Sequence, residues 1–288
     1  MLGRFKMEER RKRGNFFMRN VVEVIKQRRS VRSYDSKIID EPLKEQILNY
    51  ANAIVNPFNI PVTFQYLDAK RAGLTCPVVV GTDLYVGGKI KKGKDACVAF
   101  GYSFEQFILY VHSLGLGTVW LGGTMNRSAY EKAMNLKADE VMPCATPIGY
   151  IASKMSVRET MMRKAVKANE RLSFEELFYD GSFDTSLSKA KANTLLEPLE
   201  MVRLAPSAVN KQPWRVLVQG NYVHFYLKRS KGFGHEGSLD MQMIDMGIAL
   251  CHFELTAKAK GLNVSFIQQA PGITVSDMEY IGTYIIEF

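Results

Sequence analysis

Two long apolar stretches, at about 95–114 and about 239–260, end alike and stand at one constant offset in the chain. Gly101, Leu109, Gly115 and Leu116 of the first recur as Gly247, Leu255, Gly261 and Leu262 of the second. Both stretches read as long helices, and a glycine just past the last apolar residue is a common helix terminator. The loops ahead of neighbouring strand-like runs also correspond, Asn56-Pro57-Phe58-Asn59-Ile60-Pro61 matching Pro206 to Pro213. Two unrelated features repeating in the same order imply an internal duplication. The chain therefore reads as two unequal halves, the second a shortened restart of the first.

Around the first long helix the pattern is regular. Asn20 is placed to cap a short helix carrying Val21, Val22, Val24 and Ile25, and Asp40-Glu41-Pro42 opens another with a cap, an acid and a first-turn proline. Strands are expected at Val62–Leu67, Pro77–Asp83, Gly117–Leu121 and Cys144–Ile151, with a helix near Arg127–Met134. Glu170–Phe178 reads as a short helix, and Ser182–Lys191 as polar connector. The second half offers a helix at Leu195–Leu204 and a hairpin, Trp214–Val218 with Tyr222–Leu227, turning at Gly220-Asn221. Closing strands lie near Val264–Gln268 and Tyr280–Glu287.

A chain of 288 residues, 47% apolar and 23% charged, is long enough for two cores or one large one. The net charge of +9 suggests nucleic acid until its distribution is read. Residues 1–32 hold eleven Arg or Lys against three Glu, so the remainder is nearly neutral and no nucleic-acid surface is expected. The run Arg10-Arg11-Lys12-Arg13 then reads as a solvated tail, residues 1–19. No apolar run approaches the ~18–20 residues of a membrane span, so neither membrane nor export is expected and the location reads as cytoplasmic. Cys76, Cys97, Cys144 and Cys251 are scattered without metal-type spacing, as in a reducing compartment.

Chemistry concentrates in two places. Arg28, Arg29 and Arg32 surround Ser30 within five residues, and forked guanidinium donors with a hydroxyl suit phosphate oxygens. Alone, that cluster reads first as the solvated end of a basic tail. The second place is Pro206-Ser-Ala-Val-Asn-Lys-Gln-Pro-Trp-Arg215, a polar turn-forming loop whose amides offer both donor and acceptor. Trp214 reads as core. His112, His224, His235 and His252 are isolated, and no Gly-x-Ser-x-Gly, paired-histidine, P-loop or Rossmann pattern is present. Gly87-Gly88 and Lys89–Lys94 read as a basic glycine-containing loop.

From about residue 20 the chain resembles the nitroreductase family, most closely its single-chain, TM nitroreductase-like members. The resemblance rests on an ordered set: Arg28 to Tyr34, the helix end Leu114 to Gly123, Ile148-Gly149-Tyr150, Asn169 to Leu177, and the loop Ala205–Trp214. It implies an α+β, nitroreductase-like fold in which residues 20–181 and 182–288 imitate the family's homodimer. One FMN would lie between the halves, and a monomer would suffice to bind it. By the same resemblance Arg28, Arg29, Ser30, Arg32 and Arg171 would surround the flavin phosphate, with Arg32 also near the pyrimidine edge. Gly122 and Gly123 would run along the ring and donate to N5, while Pro206, Ser207, Asn210 and Gln212 would hydrogen-bond the ring system. Asn169 stands where the family often carries a second base. The second half has no arginine cluster, so a symmetry-related second site should be dead. The implied activity passes electrons from NADH or NADPH through FMN to a small acceptor, a nitroaromatic or quinone, and the flavin does the chemistry. The rivals are a non-catalytic FMN-storing protein, a nucleic-acid binder acting through the basic tail, and an enzyme that consumes its own flavin with oxygen.

Overall fold

The computed structural model describes residues 17–232, 239–273 and 275–287. The basic run Arg10–Arg13 and His235 lie outside them. The first helix, α1, is already formed at Phe17 and runs through residue 27, so Asn20 sits inside it rather than at its start. Phe17 is the reason: it is buried edge-on against Tyr50 and Tyr110, with centroids 6.1 and 5.8 Å away, and extends the apolar face one turn upstream.

Next come α2 (Glu41–Asn52), capped by the Asp40 carboxylate on Leu43 N, then β1 (Thr63–Asp68), α3 (Ala69–Ala72), β2 (Leu84–Lys91) and α4 (Ala96–Ser113). Short pieces follow: β3 (Leu116–Gly117), α5 (Arg127–Ala133), β4 (Glu140–Val141), β5 (Ala145–Pro147), β6 (Gly149–Tyr150), α6 (Val157–Ala165), α7 (Phe174–Leu177), β7 (Phe178–Asp180) and β8 (Ser182–Ser186). The second half supplies α8 (Lys189–Ala192), α9 (Leu196–Leu204), β9 (Trp214–Gln219), β10 (Tyr222–Lys228), α10 (Met241–Ala259), β11 (Asn263–Ile267) and β12 (Met278–Glu287).

β1 and β2 pair antiparallel, and β4 and β5 both pair with β2. The larger sheet runs β11-β12-β10-β9-β7-β8, antiparallel except that β7 lies parallel to β9. Strands on either side of residue 181 thus share one sheet with the C-terminal strands.

α4 and α10 pack on each other at the centre, buried around nearly their whole circumference, as an almost uniformly apolar helix requires. The crossing is reciprocal. A Cβ on Gly101 would fall 2.0 Å from Ile244 O, and one on Gly247 would fall 2.0 Å from Val98 O. Ile244 and Val98 stand at the same offset as the two glycines, so each helix presents to the other the place it meets itself. Backbones this close leave no room for a methyl group.

Three further expectations need correcting. Pro77–Asp83 is not a strand; it turns at Gly81 (φ 90°), whose missing Cβ lets Tyr34 O approach. The strand begins at Leu84 and includes Gly87 and Gly88, which are therefore not a loop. A Cβ there would strike Met134 Sδ at 2.5 Å and Phe100 Cε2 at 2.9 Å, so these glycines admit packing partners. Ser182–Lys191 contains β8 and the start of α8 instead of plain connector. An edge strand with mostly exposed side chains needs no apolar alternation, and that removed the signal.

Among the described residues no helix is long and apolar enough to cross a membrane, and all four cysteines are free. His112 and His252 lie on the central helices, and His224 lies on β10 against Thr283 Oγ1.

Candidate functional site

The segment 28–34 leaves α1 in extended form and is held by isolated bridges between the stretches around Thr118 and Val80. Val31 N donates to Thr118 O, Tyr34 N to Val80 O, and Val80 N to Arg32 O, each at 2.9 Å. The backbone is thereby fixed beside a cavity of about 590 Å³, within the ~300–1,000 Å³ typical of ligand sites. Arg28, Arg29, Ser30, Arg32, Arg171, Gly122, Gly123, Pro206, Ser207 and Asn210 all line it. Gln212 does not. It is buried, its Oε1 accepts from Leu172 N at 2.9 Å, and its Nε2 donates to Asn210 O at 3.2 Å.

The arginines are charged, partly desolvated and short of counter-ions. Arg28 is nearly sealed, and its nearest carboxylate is the fully buried Glu105, 3.8 Å from its Nε. Glu105 also accepts from Trp120 Nε1 at 2.8 Å and pairs with His252 Nε2 at 3.0 Å, so it ties a cavity cation, a cavity aromatic and α10 together. Arg29 Nη1 meets Glu159 Oε1 at 2.8 Å, and the other Glu159 oxygen accepts from Arg32 N at 3.1 Å. The Nε atoms of Arg32 and Arg171 are buried with no hydrogen-bond partner. Burial pushes the pKa of Arg28 and Arg32 down. Arg171 falls to about 10, through burial and then repulsion from Arg28, Arg203 and Arg163. Like charges held out of water without an anion are costly, and an anionic ligand would relieve that cost.

Arg32 shares the cavity with both this cluster and the glycine turn. Its electrostatic neighbours include both Arg163 and Cys76, and the Cys76 thiol reaches Thr124 O at 3.4 Å. The turn itself is fastened by Arg127, whose Nη2 donates to Gly122 O at 2.7 Å and whose Nη1 donates to Met142 O at 2.8 Å. A Cβ on Gly122 would meet Met241 Cε at 3.1 Å, whereas one on Gly123 would meet nothing within 4 Å. Neither glycine has positive φ among the described residues. Backbone conformation therefore does not demand glycine at 123; an open face toward the cavity is what its missing side chain leaves.

The loop 206–213 is strained and heavily braced. Val209, Asn210 and Gln212 have φ of 50°, 56° and 49°, a region costing ~1–3 kcal/mol each and worst for a β-branched residue. Four side chains offset that cost. Asp245 accepts from Ala208 N at 2.9 and 3.1 Å, and Ser207 Oγ accepts from Gln212 N at 2.9 Å. Asn210 Nδ2 donates to Lys167 O and Glu170 O, both at 2.9 Å, and its Oδ1 accepts from Arg171 at 3.2 Å. Gln212 completes the set. The amides of Asn210 and Gln212 are thus committed to shaping the loop, not free to face a ring. Trp214 is fully buried in the core.

Three cavity residues were missed from sequence. Arg163 and Met162 come from α6, whose start is marked by Ser156 and Glu159, a helix-opening pair: Ser156 Oγ accepts from Glu159 N at 3.1 Å. Asp245 is a buried carboxyl in the cavity wall, and burial raises its pKa well above the usual 3.8. Nothing local announces it, because its partner is 37 residues away. Val119, Trp120, Val166, Leu204, Met241, Ile244 and Ile248 give the wall its apolar part, and Lys26, Thr124 and Asn169 add polar groups to it.

The mixed α+β fold thus encloses a cation-rich cavity lined from both halves of the chain. The chain belongs to the TM nitroreductase family: the family described as "Putative TM nitroreductase" matches residues 20–257. A solved structure of a "putative nitroreductase" from Thermotoga maritima is 21% identical over 93% of each chain, with a TM-score of 0.59, and shares the fold. A nitroreductase family protein from Clostridium difficile 630 is 16% identical, covering 54% of this chain and 94% of its own, with a TM-score of 0.43. An FMN-dependent nitroreductase from Clostridium difficile R20291 is 17% identical, covering 49% and 94%, with a TM-score of 0.39. No curated protein sequence matches the chain.

Proposed function

We propose that the protein is an FMN-dependent oxidoreductase, taking electrons from NADH or NADPH and delivering them to a small acceptor such as a quinone or nitroaromatic. The observation that carries this reading is a pair of buried, partnerless guanidinium nitrogens, on Arg32 and Arg171, in the same cavity as the open face of Gly123. The residues present fit FMN. When bound, FMN would supply the redox chemistry that links the nicotinamide donor to the acceptor.

The chain's part is to hold and to tune. Arg28, Arg29, Ser30 and Arg171 would hold the phosphate, with Arg28 kept in place through Glu105. Arg32 sets a fixed positive charge toward the glycine turn, where it favours a ring that gains negative charge. Gly122 and Gly123 leave backbone, without side chains, for a flat ring to lie against. Pro206 and Ser207 close the opposite side on a loop stiffened by Asn210, Gln212 and Asp245. The apolar wall excludes water. Residues 20–181 and 182–288 act as the two halves of one binding unit, so one chain binds one FMN in the cytoplasm without a partner subunit or nucleic acid.

The test is stopped-flow reduction of the FMN-loaded protein by NADH and by NADPH, followed by reoxidation with a quinone. Reduction well above the rate for free FMN is expected with at least one donor. Tight FMN binding without faster reduction would make the protein a flavin binder, and absence of FMN binding would overturn the reading entirely.

A further inference from the structure

α6 is attached to the cavity by charge, not by apolar packing. Its one buried residue is Glu159, whereas Val157 and Met161 are 78% and 67% exposed. Ser156 N donates to Ser33 Oγ at 2.9 Å, Arg158 reaches Pro77 O, and Glu159 holds Arg29 and the Arg32 backbone. At the other end, Arg163 Nη2 donates to Asn169 Oδ1 at 2.9 Å. Asn169 is the position at which the family pattern often has a second base, and here the asparagine grips a base brought from α6. Arg163 lines the same cavity as Arg28, Arg32 and Arg171, and among the described residues it makes no ion pair with a carboxylate. Each of those three arginines feels Arg163 as a repelling charge.

We propose that Arg163 is a further guanidinium for the ligand's phosphate monoester, carried on a helical cap that the bound anion secures. The inference rests on the flavin-phosphate reading of the cavity and adds to it a residue carried by α6. Arg163 stands among like charges at one end of α6, tethered there by the Asn169 amide, while Glu159 and Arg29 pair nearer the other end. A dianion placed among Arg28, Arg171 and Arg163 converts that repulsion into shared attraction, and α6 becomes the element whose order reports occupancy. The cap is specific for the phosphate, not for the ring.

The experiment compares wild type with Arg163→Gln, which keeps a donor for Asn169 but removes the charge. Fluorescence titration is run with FMN and with riboflavin, and hydrogen exchange of residues 157–165 is followed with FMN, riboflavin or inorganic phosphate. Loss of one charged contact should weaken FMN by ~10-fold or more and leave riboflavin nearly unchanged. In wild type, FMN and phosphate should slow exchange in α6 more than riboflavin does; in the variant that difference should vanish. If wild type prefers FMN to riboflavin and Arg163→Gln keeps the same preference, or if riboflavin protects α6 as well as FMN does, the cap proposal is wrong while the flavin reading stands. If wild type shows no preference for FMN over riboflavin, the phosphate reading fails and takes this proposal with it.

Discussion

Replacing Arg32 by Met separates what the arginine cluster costs from what it does. The Arg32 backbone is fixed by Glu159 and Val80, but its Nε is buried without a partner and burial lowers its pKa. In the ligand-free protein the side chain is therefore a liability. An unsatisfied buried polar group costs ~1–3 kcal/mol, and partial solvent access brings this to about 1 kcal/mol. Met keeps the length and drops the charge, so the ligand-free variant should melt about 2 °C higher, at ~2 °C per kcal/mol for a chain of this size. With FMN the order changes. Wild type at a hundredfold excess over Kd gains ~2.7 kcal/mol, about 5 °C. Losing one charged contact worth ~1.5–3 kcal/mol weakens binding ~10–100-fold, leaving a gain of ~0.4–1.4 kcal/mol, about 1–3 °C, at the same FMN concentration. Thermal melts with and without FMN read both effects in one plate, with riboflavin as the phosphate-free control. A ligand-free variant that melts lower than wild type and keeps the full FMN shift would refute the reasoning, because Arg32 would then be structural.

Asp245→Asn should flatten the pH dependence of stability. Burial raises the folded-state pKa of Asp245 above its usual 3.8, so the folded state binds the proton more tightly. Its contribution is fully present below that value and declines as pH rises toward the raised one. Asn keeps an acceptor for Ala208 N without the charge, so wild-type Tm should fall relative to the variant from about pH 4 upward; parallel curves would exclude this role. Gly247→Ala places a methyl group 2.0 Å from Val98 O and should cost ~3 kcal/mol or more in denaturant unfolding, and a neutral result would mean the helices do not cross this closely. Asn210→Asp sets a carboxylate against Lys167 O and Glu170 O and pairs Arg171 internally, so FMN affinity should drop ~10-fold or more. Asn59→Asp, in the corresponding loop, should leave it nearly unchanged, and titration should end at one FMN per chain; equal damage from both substitutions would erase the distinction between the halves.

The central helices were legible because their signal is local: long apolar runs closed by glycine. The arginine segment was legible as chemistry, but its geometry comes from seams to Thr118 and Val80 that no short window contains. The same limit explains Asp245 and Glu159, buried carboxyls whose partners lie far along the chain. α6 is a different case. Ser156 and Glu159 gave a start signal, yet the helix lacks the apolar stripe by which helices are usually recognised, because it is held by charge. Gln212 shows the opposite error. Its amide suits a ligand in composition, but its left-handed backbone turns it onto Leu172 N and Asn210 O.

The strand order has a consequence for how the molecule is made. β7 and β8 are synthesised before β9, the strand against which β7 pairs, and α4 is complete long before α10 exists to cover it. A growing chain thus carries the arginine segment, an uncovered apolar helix and an unfinished sheet edge together until its last third emerges. α10 brings Met241, Ile244, Asp245 and Ile248 into the wall of the cavity that Arg28 and its neighbours line, so docking α10 completes that wall. Assembly and completion of the cavity wall coincide, so an anionic ligand available at that moment is expected to speed closure as well as stabilise the product. Yield of folded protein should track the supply of the phosphorylated ligand during expression, and refolding with FMN should outpace refolding with riboflavin.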